Sequence, residues 1–205
     1  MIMKIYYMLQ HLALVPHGIR GYAEKFKLSL MDAYDLSSVK FLELVNWIFK
    51  DHKIDNFTFC GLSYGAITTR SKEEVIPIFE VESNTYENLL ANKTINEEEI
   101  RVNFVGNFSK LPKYYLRAMK KLQDQTKDFN KKFLYIFIGY DITPKKKMKN
   151  FEKWKAKKID LLINTGKNVP LEIDEFTDKY FINKFFPEVN KEDINEAINH
   201  YYSTL

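Results

Sequence analysis

Short apolar runs alternate with amphipathic stretches along the whole chain. Leu12–Val15, Phe57–Cys60, Arg101–Val105, Phe133–Ile138 and Asp160–Ile163 read as buried strands, and Tyr180–Phe185 as a sixth. Helical patterns fall between them. Ser37 is placed to cap a stripe made by Phe41, Leu42, Val45, Ile48 and Phe49. Ser71 and Glu74 have the spacing of a capping box that opens a long helix towards Leu90. Pro112 suits the first position of a helix carrying Tyr115, Met119 and Leu122. Asn190 suits the cap of a last helix with Ile194, Ala197, Ile198 and Tyr201 on one face. Strand and helix in alternation predict one α/β domain, with a mostly parallel central sheet of about six strands flanked by helices.

Composition narrows the class. The 205 residues are 45% hydrophobic and 15% aromatic, with 16 Phe and 13 Tyr, which is globular rather than disordered. A net charge of +4 gives no general polyanion-binding character. Cys60 is the only cysteine, so an intrachain disulfide and a cysteine zinc site are excluded, in keeping with a cytoplasmic location. The apolar start, MIMKIYYMLQHLALVP, lacks a clear positive n-region and a small-residue cleavage site, and reads as a first strand with its lead-in. No run approaches the roughly 20 apolar residues of a membrane span.

The candidate chemistry begins at HLALVPHGIRGYAEK, His11 to Lys25. A strand stops at Pro16-His17-Gly18 and a helix-compatible stretch follows, which turns amide N–H groups towards an incoming anion. These residues resemble the first motif of the cis-prenyltransferases, the undecaprenyl diphosphate synthase family, H-x-A-x-x-M-D-G-N-x-R-W-A. His11, Ala13, Gly18 and Ala23 match in register, Tyr22 stands for the Trp, His17 for the Asp and Ile19 for the Asn. Further stretches are similar in the same order. Phe57-Thr58-Phe59 with Arg70-Ser71-Lys72-Glu73-Glu74-Val75 resembles L-T-L-Y-A-F-S-x-E-N-W-x-R-P-x-x-E-V. Ile100 to Pro112, Phe133 to Tyr140, Asp160 to Gly166, and Phe186-Pro187-Glu188-Val189 with Asp193 resemble the family's later segments.

The resemblance implies a chemistry in which an allylic prenyl diphosphate ionises and isopentenyl diphosphate adds to it beside Mg²⁺. Carried over residue by residue, it places Gly18, Arg20 and Arg70 on the diphosphate, His17 as a proton shuttle or hydrogen-bond donor, and Asp178 on a metal. His17 in place of the acid counts against a tight Mg²⁺ site, because a mostly neutral imidazole is a poor ligand for that ion. The Ser, Glu, Asn and Trp of the second motif fall on Tyr64, Ala66, Ile67 and Thr68, and the Arg of R-T-G-G on Asn164. The R-x-S motif is replaced by Val169-Pro170-Leu171-Glu172, and the sequence ends at Leu205 without an Arg/Gly-rich tail.

The expected function is therefore that of a diverged member handling a prenyl or polyprenyl diphosphate, by non-standard prenyl transfer or terpenoid cyclisation. The competing expectation is a non-catalytic subunit or lipid-binding partner of a complete cis-prenyltransferase. The family forms dimers, so a homodimer or a heterodimer with a related subunit is implied.

One segment lies outside the motifs. Between Lys145 and Lys158 eight lysines accompany Glu152, and Met148, Phe151 and Trp154 recur every three residues. As a helix it would offer Lys145, Lys146, Lys147, Lys149 and Trp154 to an anionic bilayer, giving peripheral membrane contact. The other reading packs the aromatic stripe on the protein's own sheet. A lysine run without a recognition motif does not support nucleic-acid binding. Asp141, after Gly139-Tyr140, is a turn residue or an extra carboxylate at the strand ends.

Overall fold

The computed structural model describes residues 8–140, 148–155, 157–166 and 177–205. Six strands form one sheet: β1 (His11–Val15), β2 (Asn56–Cys60), β3 (Ile100–Val105), β4 (Lys132–Phe137), β5 (Leu161–Asn164) and β6 (Asp178–Phe181). Their spatial order is β3-β4-β2-β1-β5-β6, and every pairing is parallel. Eight α-helices are described: α1 (Ile19–Phe26), α2 (Leu30–Asn46), α3 (Tyr64–Thr69), α4 (Lys72–Ala91), α5 (Lys93–Glu97), α6 (Lys113–Thr126), α7 (Phe151–Lys155) and α8 (Lys191–Thr204).

Central strands are buried on both faces, which is why they read as unbroken apolar runs. On one face Leu12, Leu14, Phe57 and Phe59 join the main core with residues of α2, α4, α6 and α8. On the other, Ala13, Val15, Cys60, Tyr135 and Phe137 pack with Phe151 and Trp154. The chain steps from β1 to β2 on one side and later crosses to β5 on the other. The carboxyl ends of β1 and β5 therefore flank the point where the winding direction changes, the place where open α/β sheets leave a crevice for ligands.

Four local expectations are corrected. Ser37 does not cap a helix: α2 starts earlier, at Leu30, where Ser29 Oγ accepts the Asp32 N–H at 3.0 Å, and the Ser37 hydroxyl donates to the Ala33 carbonyl at 2.8 Å. Ser71 holds the N-cap position of α4, but the box is open because Glu74 turns to Arg20, 3.7 Å away. Pro112 is the N-cap of α6 rather than its first helical residue. The sixth strand is Asp178–Phe181, an edge strand whose residues alternate between half-buried and exposed.

Within the lysine-rich segment the described aromatic residues pack on the protein's own sheet. Within it α7 is only Phe151–Lys155. Trp154 is corrected from a membrane-facing residue to a core one. It is 5% exposed, its indole N–H donates to Thr58 Oγ1 at 2.9 Å, and its ring meets Phe137 edge-on at 4.7 Å. Lys149 is exposed, with its ammonium 5.8 Å from the Phe108 ring. Asp141, Lys145, Lys146 and Lys147 lie outside the described residues.

Candidate active site

The strand-to-helix turn after β1 builds one corner of the site. Gly18 sits at φ 84°, ψ 10° as the N-cap of α1. That left-handed conformation costs a non-glycine residue roughly 1–2 kcal/mol. Space also demands glycine, since a Cβ here would fall 2.5 Å from Phe185 Cδ1. The turn puts the start of α1, Gly18 to Gly21, on the cavity lining, and the first amides of a helix have no partner within it. Thr165 anchors the turn from the end of β5. Its Oγ1 accepts the His17 N–H at 2.6 Å, and the His17 carbonyl accepts the Phe186 N–H at 3.0 Å. The His17 ring lies against Gly166, where a Cβ would come 2.6 Å from its Cγ.

Two guanidinium groups reach the same mouth. Arg70, between α3 and α4, donates from Nη1 to the Tyr34 hydroxyl of α2 at 2.9 Å. Arg20, on the first turn of α1, faces Glu74 of α4 across 3.7 Å, with its side chain 59% exposed. Such an open pair contributes little to stability and leaves Arg20 available to an anion.

Behind this mouth lies a cavity of about 780 Å³. His17, Gly18, Arg20, Ser63 and Arg70 supply polar lining. Phe41 of α2, Phe59 of β2, Ile78 and Val81 of α4, and Ile136 of β4 supply apolar walls. Elements distant in sequence meet here because α2 and α4 pack side by side over the sheet. The arrangement accepts an amphiphile: an anionic head at the amides and guanidiniums, and an apolar tail between helices and sheet.

Sequence reasoning missed an acid in these walls. Glu82, ten residues into α4, lines the cavity beside Ile78, Thr85 and Tyr86. The Tyr115 hydroxyl, from α6, donates to Glu82 Oε2. The Tyr86 hydroxyl is 2.8 Å from that of Tyr115 and 3.4 Å from the same carboxylate oxygen. Burial pushes the carboxyl up to about 7, against the opposing pull of the two tyrosine hydrogen bonds. The available signal was its spacing, four residues after Ile78 and four before Tyr86, which puts Glu82 on the buried stripe of α4.

His17, Gly18, Arg20 and Arg70 are thus brought together, and Asp178 is not. It opens β6 at the amino end of the strands, where its Oδ2 accepts the Thr204 hydroxyl at 3.1 Å. Asp178 is not among the residues that line the cavity, so the structure does not bring it to the diphosphate corner.

Mg²⁺ asks for hard oxygen ligands, commonly a carboxylate or two with phosphate oxygens. The corner instead offers imidazole, guanidinium and amide N–H groups, with Glu74 facing Arg20 and Glu24 the acid that α1 adds to the lining. Among the described residues no group of three His, Cys, Asp or Glu could hold a metal ion. These residues do not fit a Mg²⁺ held by the protein itself.

A parallel α/β domain with a phosphate-type corner at the winding switch and an apolar cleft behind it defines a scaffold for phosphorylated apolar ligands. Known proteins agree with that class. The family model described as "Putative undecaprenyl diphosphate synthase" matches residues 15–145, more than half of the chain, and the protein belongs to this cis-prenyltransferase family. It is 25% identical over 219 residues to a tritrans,polycis-undecaprenyl-diphosphate synthase (geranylgeranyl-diphosphate specific) of Pyrobaculum aerophilum, covering 93% of this chain and 92% of that one. A Sulfurisphaera tokodaii protein of the same description is 28% identical over 223 residues, covering 94% and 84%. Among solved structures, lavandulyl diphosphate synthase from Lavandula x intermedia, in complex with dimethylallyl diphosphate, superposes with a TM-score of 0.82 at 18% identity over 95% of both chains. A probable undecaprenyl diphosphate synthase from Campylobacter jejuni gives 0.66 at 17% identity, again over 95% of both chains. Identities this low carry the fold and no more.

Proposed function

We propose that the cavity holds one prenyl or polyprenyl diphosphate and that the protein turns it over by non-standard prenyl transfer or terpenoid cyclisation. The observation that carries this reading is one cavity lined both by Arg20, Arg70 and the start of α1 and by apolar side chains of α2, α4 and the sheet. Each charge-assisted contact is worth roughly 1.5–3 kcal/mol. Each buried methylene adds up to about 0.8 kcal/mol. Affinity should therefore climb with chain length until the cavity is full. One diphosphate has a corner, whereas a second lacks the usual grip: His17 stands for the family's acid and Asn164 for its R-T-G-G arginine. A substrate that reacts with itself needs only the first.

His17 in the place of the family's acid favours a second reading, a subunit that holds a lipid and serves a complete synthase. In either case the family's habit of pairing implies a homodimer or a related partner, measurable by light scattering. Exposed Lys149, Lys153 and Lys155 beside α7 support contact with an anionic membrane surface, which co-sedimentation with anionic vesicles tests. Among the described residues no helix is long and apolar enough to cross a membrane.

The deciding experiment titrates the protein with unreactive C10, C15 and C20 prenyl thiodiphosphates and with inorganic pyrophosphate. Labelled C15 and C20 prenyl diphosphates are then incubated with and without isopentenyl diphosphate. Chain-length-dependent binding with product from the single substrate is the expected result. Equal affinity for pyrophosphate and prenyl thiodiphosphates would refute the cavity assignment. Product only after a complete synthase subunit is added would establish the second reading.

A further inference from the structure

Two acids line the cavity among the described residues, Glu24 on α1 and Glu82 on α4, and of these Glu82 is set among the apolar walls, where neither fold nor ligand grip requires it. A leucine would fill the same wall without the cost of burying a carboxyl group. Instead α6 contributes Tyr115 and α4 contributes Tyr86, and both hydroxyls converge on Oε2. Tyr115 is fully buried and Tyr86 is 3% exposed, so the pair holds the carboxyl in one orientation. Oε1 is turned the other way. It lies 3.7 Å from where a Cβ on Gly61 would sit, at the carboxyl end of β2. That is the strand end beside β1, level with the start of the Pro16-His17-Gly18 turn, since Leu14 pairs with Phe59. The acid therefore stands beside the anion-binding corner rather than at a remote floor. The field of Glu82 also reaches the Tyr34 hydroxyl, the group that orients Arg70.

We propose that Glu82 is the proton acceptor for a carbocation formed in this cavity, with Tyr86 and Tyr115 as its positioning residues. The inference rests on the reading of the cavity as a prenyl diphosphate site. The allylic C–O bond breaks, and its electron pair leaves with the diphosphate, which Arg20, Arg70 and the α1 amides receive. The resulting cation, with or without ring closure onto one of its own double bonds, loses a proton from a carbon next to the charge. That C–H pair becomes a new C=C bond, and the proton passes to Glu82 Oε1. The products are a neutral hydrocarbon, diphosphate and a protonated Glu82 that returns its proton to water. No oxidant, reductant or second substrate is needed. Titratable groups against this acid are Tyr86 on its own helix and Tyr115 from α6, its field reaches Tyr34 of α2, and His17, Arg20, Glu24, Arg70 and Tyr140 line the same cavity. Its ordinary ionisation is delayed by burial to about 7, so the acceptor form grows in as pH rises through neutrality.

The test uses the purified full chain, Glu82→Gln and Tyr115→Phe, with circular dichroism to establish folding. Binding of an unreactive C15 thiodiphosphate is measured first, then products from the labelled C15 diphosphate are separated into hydrocarbon and alcohol at pH 5.5–8.5. Wild type is expected to bind and to release hydrocarbon at a rate that rises through about pH 7. Glu82→Gln should bind within about threefold of wild type, lower the hydrocarbon-to-alcohol ratio at least tenfold as water captures the cation, and lose the pH step. Tyr115→Phe should keep the step but shift its midpoint. An unchanged hydrocarbon share in Glu82→Gln overturns the assignment, as does a wild type that binds and leaves the ligand intact at every pH. A wild type that fails to bind the thiodiphosphate overturns the reading of the cavity itself, a distinguishable outcome.

Discussion

Replacing Arg70 by Ala removes the better oriented of the two guanidiniums at the cavity mouth. Its Nη1 donates to the Tyr34 hydroxyl at 2.9 Å, so the fork is held over the site before a ligand arrives. A charge-assisted contact to diphosphate is worth roughly 1.5–3 kcal/mol, and 1.4 kcal/mol is a factor of ten. Arg70→Ala should therefore weaken a C15 prenyl thiodiphosphate by about 10- to 100-fold, and inorganic pyrophosphate by a similar factor. Tyr34→Phe removes only the orienting bond and should cost less, about three- to tenfold, taken from a neutral bond at 0.5–1.5 kcal/mol. Because both changes act on one contact, the double variant should lose less than the product of the two single effects. Isothermal titration calorimetry of the four proteins closes the cycle. Phe59→Ala is the control for the apolar wall, since it should weaken the prenyl ligand and leave pyrophosphate alone. Wild-type affinity of Arg70→Ala for the prenyl ligand would refute the placement of the diphosphate.

Two further outcomes follow from the opposite face of the sheet. Trp154→Phe keeps a ring against Phe137 but takes away the indole N–H that donates to the Thr58 hydroxyl, so thermal unfolding should show a loss of about 1–2 kcal/mol. His11 is buried, with its ring nitrogens on the Lys158 carbonyl at 3.0 Å and Thr58 Oγ1 at 2.8 Å, and burial pushes it down to about 4. Between pH 4 and the ordinary histidine value near 6.5 the unfolded chain binds the extra proton, so stability falls as pH falls through that window. Urea unfolding should register a decline on the order of 3 kcal/mol, and His11→Gln should flatten it; a wild-type profile unchanged from pH 7 to 4 would contradict the assignment.

What could be read in the sequence follows from burial. Strands covered on both faces are short apolar runs, and β1, β2, β3 and β4 were placed within a residue or two. The edge strand β6 was misplaced because its residues alternate with half their surface open, which weakens the run. Ser37 has the residue type of a cap, but Leu30 to Leu36 before it carry too weak an apolar stripe to mark the helix start at Ser29. Gly18, Arg20 and Arg70 were legible as site residues because a turn and a motif mark them. Tyr34 and Glu82 were not, since each takes its meaning from a neighbour on another helix: Arg70 for Tyr34, Tyr115 for Glu82. Asp178 was assigned from its motif position alone, which does not say at which end of a strand a residue lies. The spacing of Phe151 and Trp154 marked a buried stripe as well as a membrane-facing one, and periodicity cannot choose between them.

The central claim is that one cavity holds one prenyl diphosphate, head at the α1 turn and tail between α2 and α4. A crystal structure with a C15 prenyl thiodiphosphate tests it most directly. The account predicts phosphate oxygens about 3 Å from the Arg70 guanidinium and the amides following Gly18, with the chain running past Phe59 and Ile78. Ligand density on another surface, or a cavity left to solvent at saturating ligand, would contradict it.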